Sequence, residues 1–297
     1  MLVRSLRVPP SLLLIIAFCA FLGWHFSQTP TIDQAPAPPP TAPLPPPAEQ
    51  RLASAADKAP EKKPLRVALV TFVTEERSYI HISLKSKDHY VRRHGYDLIV
   101  DYEAHPGRGT VWWKFDMMRR LIKQDKWDWI WWLDFDTLIT NTDIKVTDII
   151  QETLKNATNP DELDFLFSHD CNDLNLGSFI VRSHKRSLKF LDDVYAVEAR
   201  EKKKDKDLQM SEQDAITTLM KEDAKSKART TVVPQWMLNA FPEEIQCYAE
   251  PKRVWEPGFF LVHFAGAWAH VKGEDPTGQL MKKYKDEIIW GDWKEFY

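Results

Sequence analysis

Cysteine is scarce in this chain of 297 residues; there are three, Cys19, Cys171 and Cys247. No CxxC pair and no Cys/His cluster occurs, which excludes a zinc site of the usual ligand spacing. Cys19 lies in an apolar N-terminal run, so a Cys171–Cys247 disulfide is the one bridge open to the rest of the chain. Two free buried thiols are the alternative. A surplus of one charge sign is missing too. Lys and Arg number 40 against 43 Asp and Glu, for a net charge of -3, which excludes the strongly basic domain of a nucleic-acid binder. No internal repeat is found, so a solenoid is excluded.

Apolar residues are not lacking. They make up 43% of the chain against 28% charged, the mixture of a globular protein able to bury a core. The length suits one medium domain with extras, or two small ones. Tryptophan, at 12, and proline, at 20, are the surpluses. Flat Trp faces can stack on sugar rings, but Trp129, Trp131 and Trp132 fall inside a strand pattern and read as core.

Residues 11–26 (SLLLIIAFCAFLGWHF) carry no full charge and follow Arg4 and Arg7. With the residues just before them they approach the ~20 apolar positions of a membrane helix. The basic flank predicts a cytoplasmic N-terminus, with 1–10 as tail and 11–27 as signal anchor. The rival reading is a cleaved signal peptide with Ala17-Phe18-Cys19 at its small-residue site. Residues 30–47 hold nine prolines, which cannot pack a core and predict an extended spacer over 28–64.

The remainder, 65–297, reads as one α/β domain. Short β-branched or aromatic runs at 66–73, 96–102 and 127–133 predict buried strands, and 79–93 and 113–124 predict the helices between them. His94-Gly95 closes the first helix with a C-cap glycine. Strand, helix, strand, helix, strand argues for a mainly parallel sheet covered by helices. Further strands are expected at 163–169, 177–182 and 254–264, the last broken by Pro257-Gly258, and helices at 187–200 and 212–220. Residues 200–207 (REKKKDKD) read as a solvated charge run. Asn156-Ala157-Thr158 is a glycosylation sequon.

Asp134-Phe135-Asp136 follows seven strand-like residues directly. Side chains two apart on an extended chain point the same way, and ligands of α/β sheets bind at the carboxyl ends of strands. The pair therefore suits a hard divalent cation, which prefers carboxylate oxygens. A solvated turn closing the strand is the bland alternative. Asp205-Lys206-Asp207 has the same spacing without a preceding strand, and carries no such expectation.

The match does not stop there. Residues 127–141 (WDWIWWLDFDTLITN), Asn175-Leu176-Gly177-Ser178-Phe179, Glu212-Gln213-Asp214-Ala215 and His263-Phe264-Ala265-Gly266 together resemble the motif series of glycosyltransferase family 34. His94-Gly95-Tyr96-Asp97 and Trp112-x-Lys114 match as well. Asn239-Ala240-Phe241-Pro242 resembles the fungal branch, which includes α-galactosyl- and α-1,6-mannosyltransferases. The resemblance covers about residues 66–270. It implies an α/β fold of the GT-A type, a Rossmann-like, mainly parallel sheet with helices on both faces. It also implies a Mn²⁺ (or Mg²⁺) site and retention of anomeric configuration.

Carried over by position, Asp134, Asp136 and His263 are the expected metal ligands. Thr71, Val73, Lys114, Asp134, Asn175, Gly177 and Ser178 are expected at the donor. Glu212 and Gln213 match a segment on the sugar's β face, where Gln213 would stabilise an oxocarbenium-like transition state and Asp214 would meet the sugar. For Asp214 the alternative is helix capping by Ser211. Trp236 and Asn239 are expected at the acceptor. The plant relatives carry Cys-Lys after His-Phe-x-Gly; here Ala267-Trp268 stands instead, which leaves His270 or Lys272 to supply the charge, or the metal alone.

The resemblance implies an enzyme of the Golgi membrane, single-pass and type II, acting on a nucleotide-sugar and a glycan acceptor. GDP-mannose is the first expectation for the donor and UDP-galactose the second. The rival class is a non-catalytic subunit of a glycosyltransferase complex.

Overall fold

The computed structural model describes residues 63–103, 109–292 and 294. The expected tail, the anchor and nearly all of the proline-rich spacer lie outside them. Among the described residues, no helix is long and apolar enough to cross a membrane.

Strand β1 (Val67–Phe72) leads through helix α1 (Ile80–His94) to β2 (Asp97–Asp101), and α2 (Thr110–Ile122) leads to β3 (Trp129–Leu133). Strands β2 and β3 both pair parallel with β1, as two successive crossovers through helices require. The turn after α1 needs a left-handed residue, and Gly95 supplies it at φ 66°, without the Cβ clash another residue would meet.

The rest of the sheet departs from the expectation in one respect. Its order is β2-β1-β3-β6-β5-β7, with β5 Phe165–Asp170, β6 Asp173–Arg182 and β7 Thr230–Val232. Strand β6 is antiparallel to both β3 and β5, while β5 and β7 are parallel. Five strands thus run one way and β6 runs the other, so the sheet is mixed but mostly parallel. The reversal comes from the tight β5–β6 hairpin, whose tip residue Asp173 takes φ 78°. A two-residue connection can only join antiparallel strands.

Both faces of the sheet are buried, which is why β3 reads WIWWL without a polar position. Ile130 and Trp132 face a core shared with α2, α4 (Lys185–Lys204) and α5 (Glu212–Glu222). Trp129 and Trp131 face the other core, with Tyr90 and Val91 of α1 and Ile149 and Ile150 of α3 (Val146–Lys155). Trp131 and Trp132 are fully buried, each contributing about 4–6 kcal/mol of apolar burial as an upper figure. The charged run at 200–207 completes α4 to Lys204 before leaving it.

The expected strand over 254–264 is cut to β8 (Leu261–His263). Gly258 turns at φ 95°, and Pro257 lacks the donor a ladder needs. Strand β8 pairs antiparallel with β4 (Thr137–Ile139), a strand the sequence reading left out. This two-stranded ladder stands beside the main sheet and faces a third apolar cluster with Tyr79, Phe264 and Met281. The short helices α6 (Ala224–Ala228), α7 (Gln235–Leu238) and α8 (Ala267–His270), and α9 (Pro276–Tyr284), were likewise not expected. Each spans nine residues or fewer, too short for a hydrophobic period to declare itself.

Candidate active site

The β4–β8 ladder is what gathers the candidate ligands. Thr137 is paired with His263, and the amide of Phe264 donates to the carbonyl of Asp136 (3.0 Å). The imidazole is thereby set against the second carboxylate, with His263 Nε2 3.2 Å from Asp136 Oδ1. Asp134 is fixed from the other side, because its amide donates to the carbonyl of Gly177 on β6 (2.7 Å) and Trp132 Nε1 donates to its Oδ1 (2.6 Å). One ligand atom from each of Asp134, Asp136 and His263 lies within 4.8 Å of the others.

The His263 ring is held by its far nitrogen. Nδ1 lies 2.7 Å from Asn239 Oδ1. The Asn239 amide nitrogen donates to Ser168 Oγ (3.1 Å) and Asn175 Oδ1 (2.8 Å), so its oxygen is the acceptor and Nδ1 carries the hydrogen. That leaves Nε2 facing Asp136, the arrangement in which a second-layer partner fixes the tautomer of a ligand histidine. Asn239, expected at the acceptor, is fully buried behind the imidazole. Gly177 lies against the same ring. A Cβ at that position would stand 2.0 Å from His263 Cε1, so only glycine lets β6 approach so closely.

Two half-buried carboxylates side by side oppose one another's ionisation. Burial pushes the Asp134 carboxyl upward and the Asp136 charge adds to that push, against Lys114 and His263, leaving it above the usual carboxylate range. At Asp136 burial is outweighed by His263, and the carboxyl is held below that range. Two carboxylates and an imidazole whose Nε2 offers a lone pair once a cation displaces its proton are a donor set that fits Mn²⁺ or Mg²⁺, and a cation there would relieve the mutual repulsion.

Lys114, on α2, proves to be a buried bridge. Its Nζ is 3.0 Å from Glu212 and 3.7 Å from Asp134, and it donates to the carbonyl of Leu176 (3.3 Å). Burial alone would depress the ammonium, but Asp134, Glu212 and Asp136 together hold it above its ordinary value. Gln213 accepts from the amide of Leu176 (2.8 Å). Both backbone groups of Leu176 are therefore tied to residues predicted from the motifs, and Asn175, Gly177, Lys114, Glu212 and Gln213 converge on one stretch of β6. Asp214 is exposed and completes a capping box with Ser211, the role weighed against a sugar contact.

A cavity opens next to this cluster, walled by Val73, Arg77, Tyr79, Lys114 and the Asp134–Asp136 segment. Val73 stands at its wall. Thr71 is fully buried, and its hydroxyl finds no hydrogen-bond partner among the described residues. Ser178 is turned into the sheet, where its hydroxyl accepts from Trp131 Nε1 (3.0 Å). Trp236 is half-buried under the guanidinium of Arg253, 4.2 Å from the ring centre. His270 and Lys272 are exposed; Lys114 is the cation that approaches the carboxylates within ion-pair distance. Sequence reading missed Lys87 of α1, a cation that is fully buried behind the Asp134–Asp136 loop and donates to the carbonyl of Thr137 rather than to a carboxylate. Burial pushes it down to about 7 against the opposing pull of Asp136 and Asp134.

A family model described as the galactosyl transferase GMA12/MNN10 family matches residues 66–273. The chain is 28% identical over 207 residues to a probable alpha-1,2-galactosyltransferase, gmh1, of Schizosaccharomyces pombe; the match covers 60% of this chain and 59% of that protein. It is 28% identical over 191 residues to a probable alpha-1,6-mannosyltransferase, MNN10, of Saccharomyces cerevisiae, covering 54% and 47%. The chain thus spans about half the length of these relatives. Among solved structures, a glycosyltransferase involved in the glycosylation of the major capsid of PBCV-1 superposes with a TM-score of 0.54. That match has 16% identity and covers 73% of this chain and 99% of that one, a likeness of fold. With the family model matched over more than half of its length, the chain belongs to the galactosyl transferase GMA12/MNN10 family.

Proposed function

We propose that this chain transfers a hexose from a nucleotide-sugar to a glycan acceptor, with retention of configuration and dependence on a divalent cation. The observation that carries the reading is the convergence of Asp134, Asp136 and His263 from the end of one strand and from a ladder far along the chain. In the reaction, the bond from the anomeric carbon to the diphosphate breaks. A bond to the acceptor oxygen forms on the same face, and the acceptor's proton leaves with the diphosphate. Mn²⁺ or Mg²⁺ held by the three side chains would neutralise charge on that diphosphate.

The chain's own residues do the rest. Lys114 adds a fixed positive charge beside Asp134, and Glu212 holds it there. Gln213 accepts from the amide of Leu176 through its Oε1, and the remaining lone pair of that oxygen, the negative end of its dipole, lies beside the strand that carries Asn175 and Gly177. A preorganised dipole in that place suits the charge that develops on the sugar ring. The cavity next to Asp134 takes the nucleoside diphosphate.

The donor is proposed to be GDP-mannose, with UDP-galactose the competing candidate; the two relatives above are named as a mannosyl- and a galactosyltransferase. The place of action is proposed to be the lumenal face of the Golgi membrane, on the strength of the charge-free run at 11–26 behind Arg4 and Arg7. Incubating the purified chain with a panel of UDP- and GDP-sugars and oligosaccharide acceptors, with Mn²⁺ or with EDTA, tests all of this but the location. One donor should give an α-linked product that EDTA abolishes. Turnover indifferent to EDTA would remove the cation from the account, and no product with any donor would remove the transferase reading itself.

A further inference from the structure

The loop that carries the two carboxylates has four carbonyls, and each has a specific partner. That of Asp134 accepts from Thr137 Oγ1 (2.6 Å). That of Asp136 accepts from the amide of Phe264 (3.0 Å). The remaining two are met from α1. Ser83 Oγ donates to the carbonyl of Phe135 (2.6 Å), and Lys87 Nζ donates to the carbonyl of Thr137 (2.9 Å). Lys87 Nζ also donates to Ser83 Oγ (2.8 Å), so the two helix residues, one turn apart, form a single clamp on the backbone around Asp136.

This clamp is costly by itself. Both side chains are fully buried, and a buried ammonium is expensive unless hydrogen-bonded or offset by charge. An aliphatic residue at position 87 would suit a helix face whose other buried members include Tyr90 and Val91. The ammonium lies 5.6 Å from the centre of the Phe135 ring, so it also meets the side chain that separates the two aspartates. Donors are needed there because a buried carbonyl without a partner costs the free energy of a lost hydrogen bond. They matter because a ligand carboxylate can be no better placed than the backbone that carries it.

We propose that Ser83 and Lys87 are positioning residues of the cation site, fixing the backbone on either side of Asp136 so that Asp134, Asp136 and His263 meet one divalent ion. The inference rests on the metal-dependent reading of the site given above. Removing an outer partner of a metal ligand typically weakens binding by about 10–100-fold. A simple charge argument runs the other way, because removing a nearby cation would strengthen Mn²⁺ binding. The sign of the change therefore separates positioning from electrostatics.

The test is the Mn²⁺ dissociation constant of the full chain, followed by the electron paramagnetic resonance of free Mn²⁺, for wild type, Lys87→Met and Ser83→Ala. Thermal unfolding in EDTA establishes that each variant is folded. Both variants are expected to bind Mn²⁺ more weakly, Lys87→Met by about tenfold or more. The rate at saturating Mn²⁺ should return to within about threefold of wild type, whereas a merely destabilised fold would lower that rate without moving the Mn²⁺ dependence. Unchanged or tighter binding in Lys87→Met overturns the proposal and leaves the metal reading intact. If Lys87→Met does not fold, Ser83→Ala, which keeps the ammonium, decides alone, and wild-type affinity in it overturns the clamp. Failure of the wild-type chain to bind Mn²⁺ at all overturns the metal reading, and the clamp with it.

Discussion

Asn239 shows how much a single residue's place can alter its meaning. Its motif pointed toward the acceptor, yet its amide oxygen lies 2.7 Å from His263 Nδ1 and no part of it is exposed. Asn239→Ala should raise the Mn²⁺ concentration needed for half-maximal activity by about 10–100-fold. A rise in acceptor KM with the Mn²⁺ dependence unmoved would instead return Asn239 to the acceptor. Lys87 makes a second prediction at this scale. Its folded pKa of about 7 lies below the ordinary lysine value, so between about pH 7 and 10 the unfolded chain binds more protons than the folded one. Stability must rise with pH through this group across that window and stay lowered below it. In EDTA, the unfolding midpoint of wild type should gain on that of Lys87→Met as pH rises from 7 to 10. Parallel curves would contradict the depressed value.

At the scale of elements, α5 begins with a capping box in which Ser211 and Asp214 satisfy each other's backbone donors. Ser211→Ala should cost about 1 kcal/mol of stability, and Asp214→Ala should lower the unfolding midpoint comparably without a change in donor KM. A donor KM that rises strongly in Asp214→Ala alone would restore the sugar contact. The elements that could be read from the sequence are those with long runs of one period. Strands β1, β2 and β3 and helices α1, α2, α4 and α5 fall within a few residues of their expected places, because burial on one or both faces imprints a pattern on five residues or more. Strand β4, three residues long, leaves no such imprint, and β8 is the three-residue remainder of the longer strand expected over 254–264. Their pairing is a long-range contact that nothing local announces, and it is that pairing which brings His263 to Asp136. The motif residues were therefore legible as a set through resemblance, while the supports behind the ligands were not read as supports: Lys87 looked like an ordinary helix lysine, and Asn239 was expected at the acceptor.

For the whole molecule, the fold joins distant parts of the chain through the site itself. Cys171 at the tip of the β5–β6 hairpin is disulfide-bonded to Cys247, realising the bridge the sequence left open. Asp170, next to it, accepts from Asn175 Nδ2 (2.7 Å), Asn175 accepts from Asn239 (2.8 Å), and Asn239 holds His263. The bridge thus ties down the hairpin from which this chain of hydrogen bonds starts. The Cys171→Ser, Cys247→Ser double variant should lose about 2–4 kcal/mol of stability in a denaturant titration. An unchanged midpoint would mean that the bridge constrains nothing the fold does not already fix.

Two carboxylates of one loop and an imidazole from far along the chain must meet at one ion if the transfer proceeds as proposed. Anomalous scattering from a crystal grown with Mn²⁺ and a nucleoside diphosphate measures that most directly. A single peak within coordination distance of Asp134, Asp136 and His263, with diphosphate density beside it in the cavity next to Lys114, is the predicted result. A bound nucleotide with no peak among those three residues, or a peak held by other side chains, would contradict it.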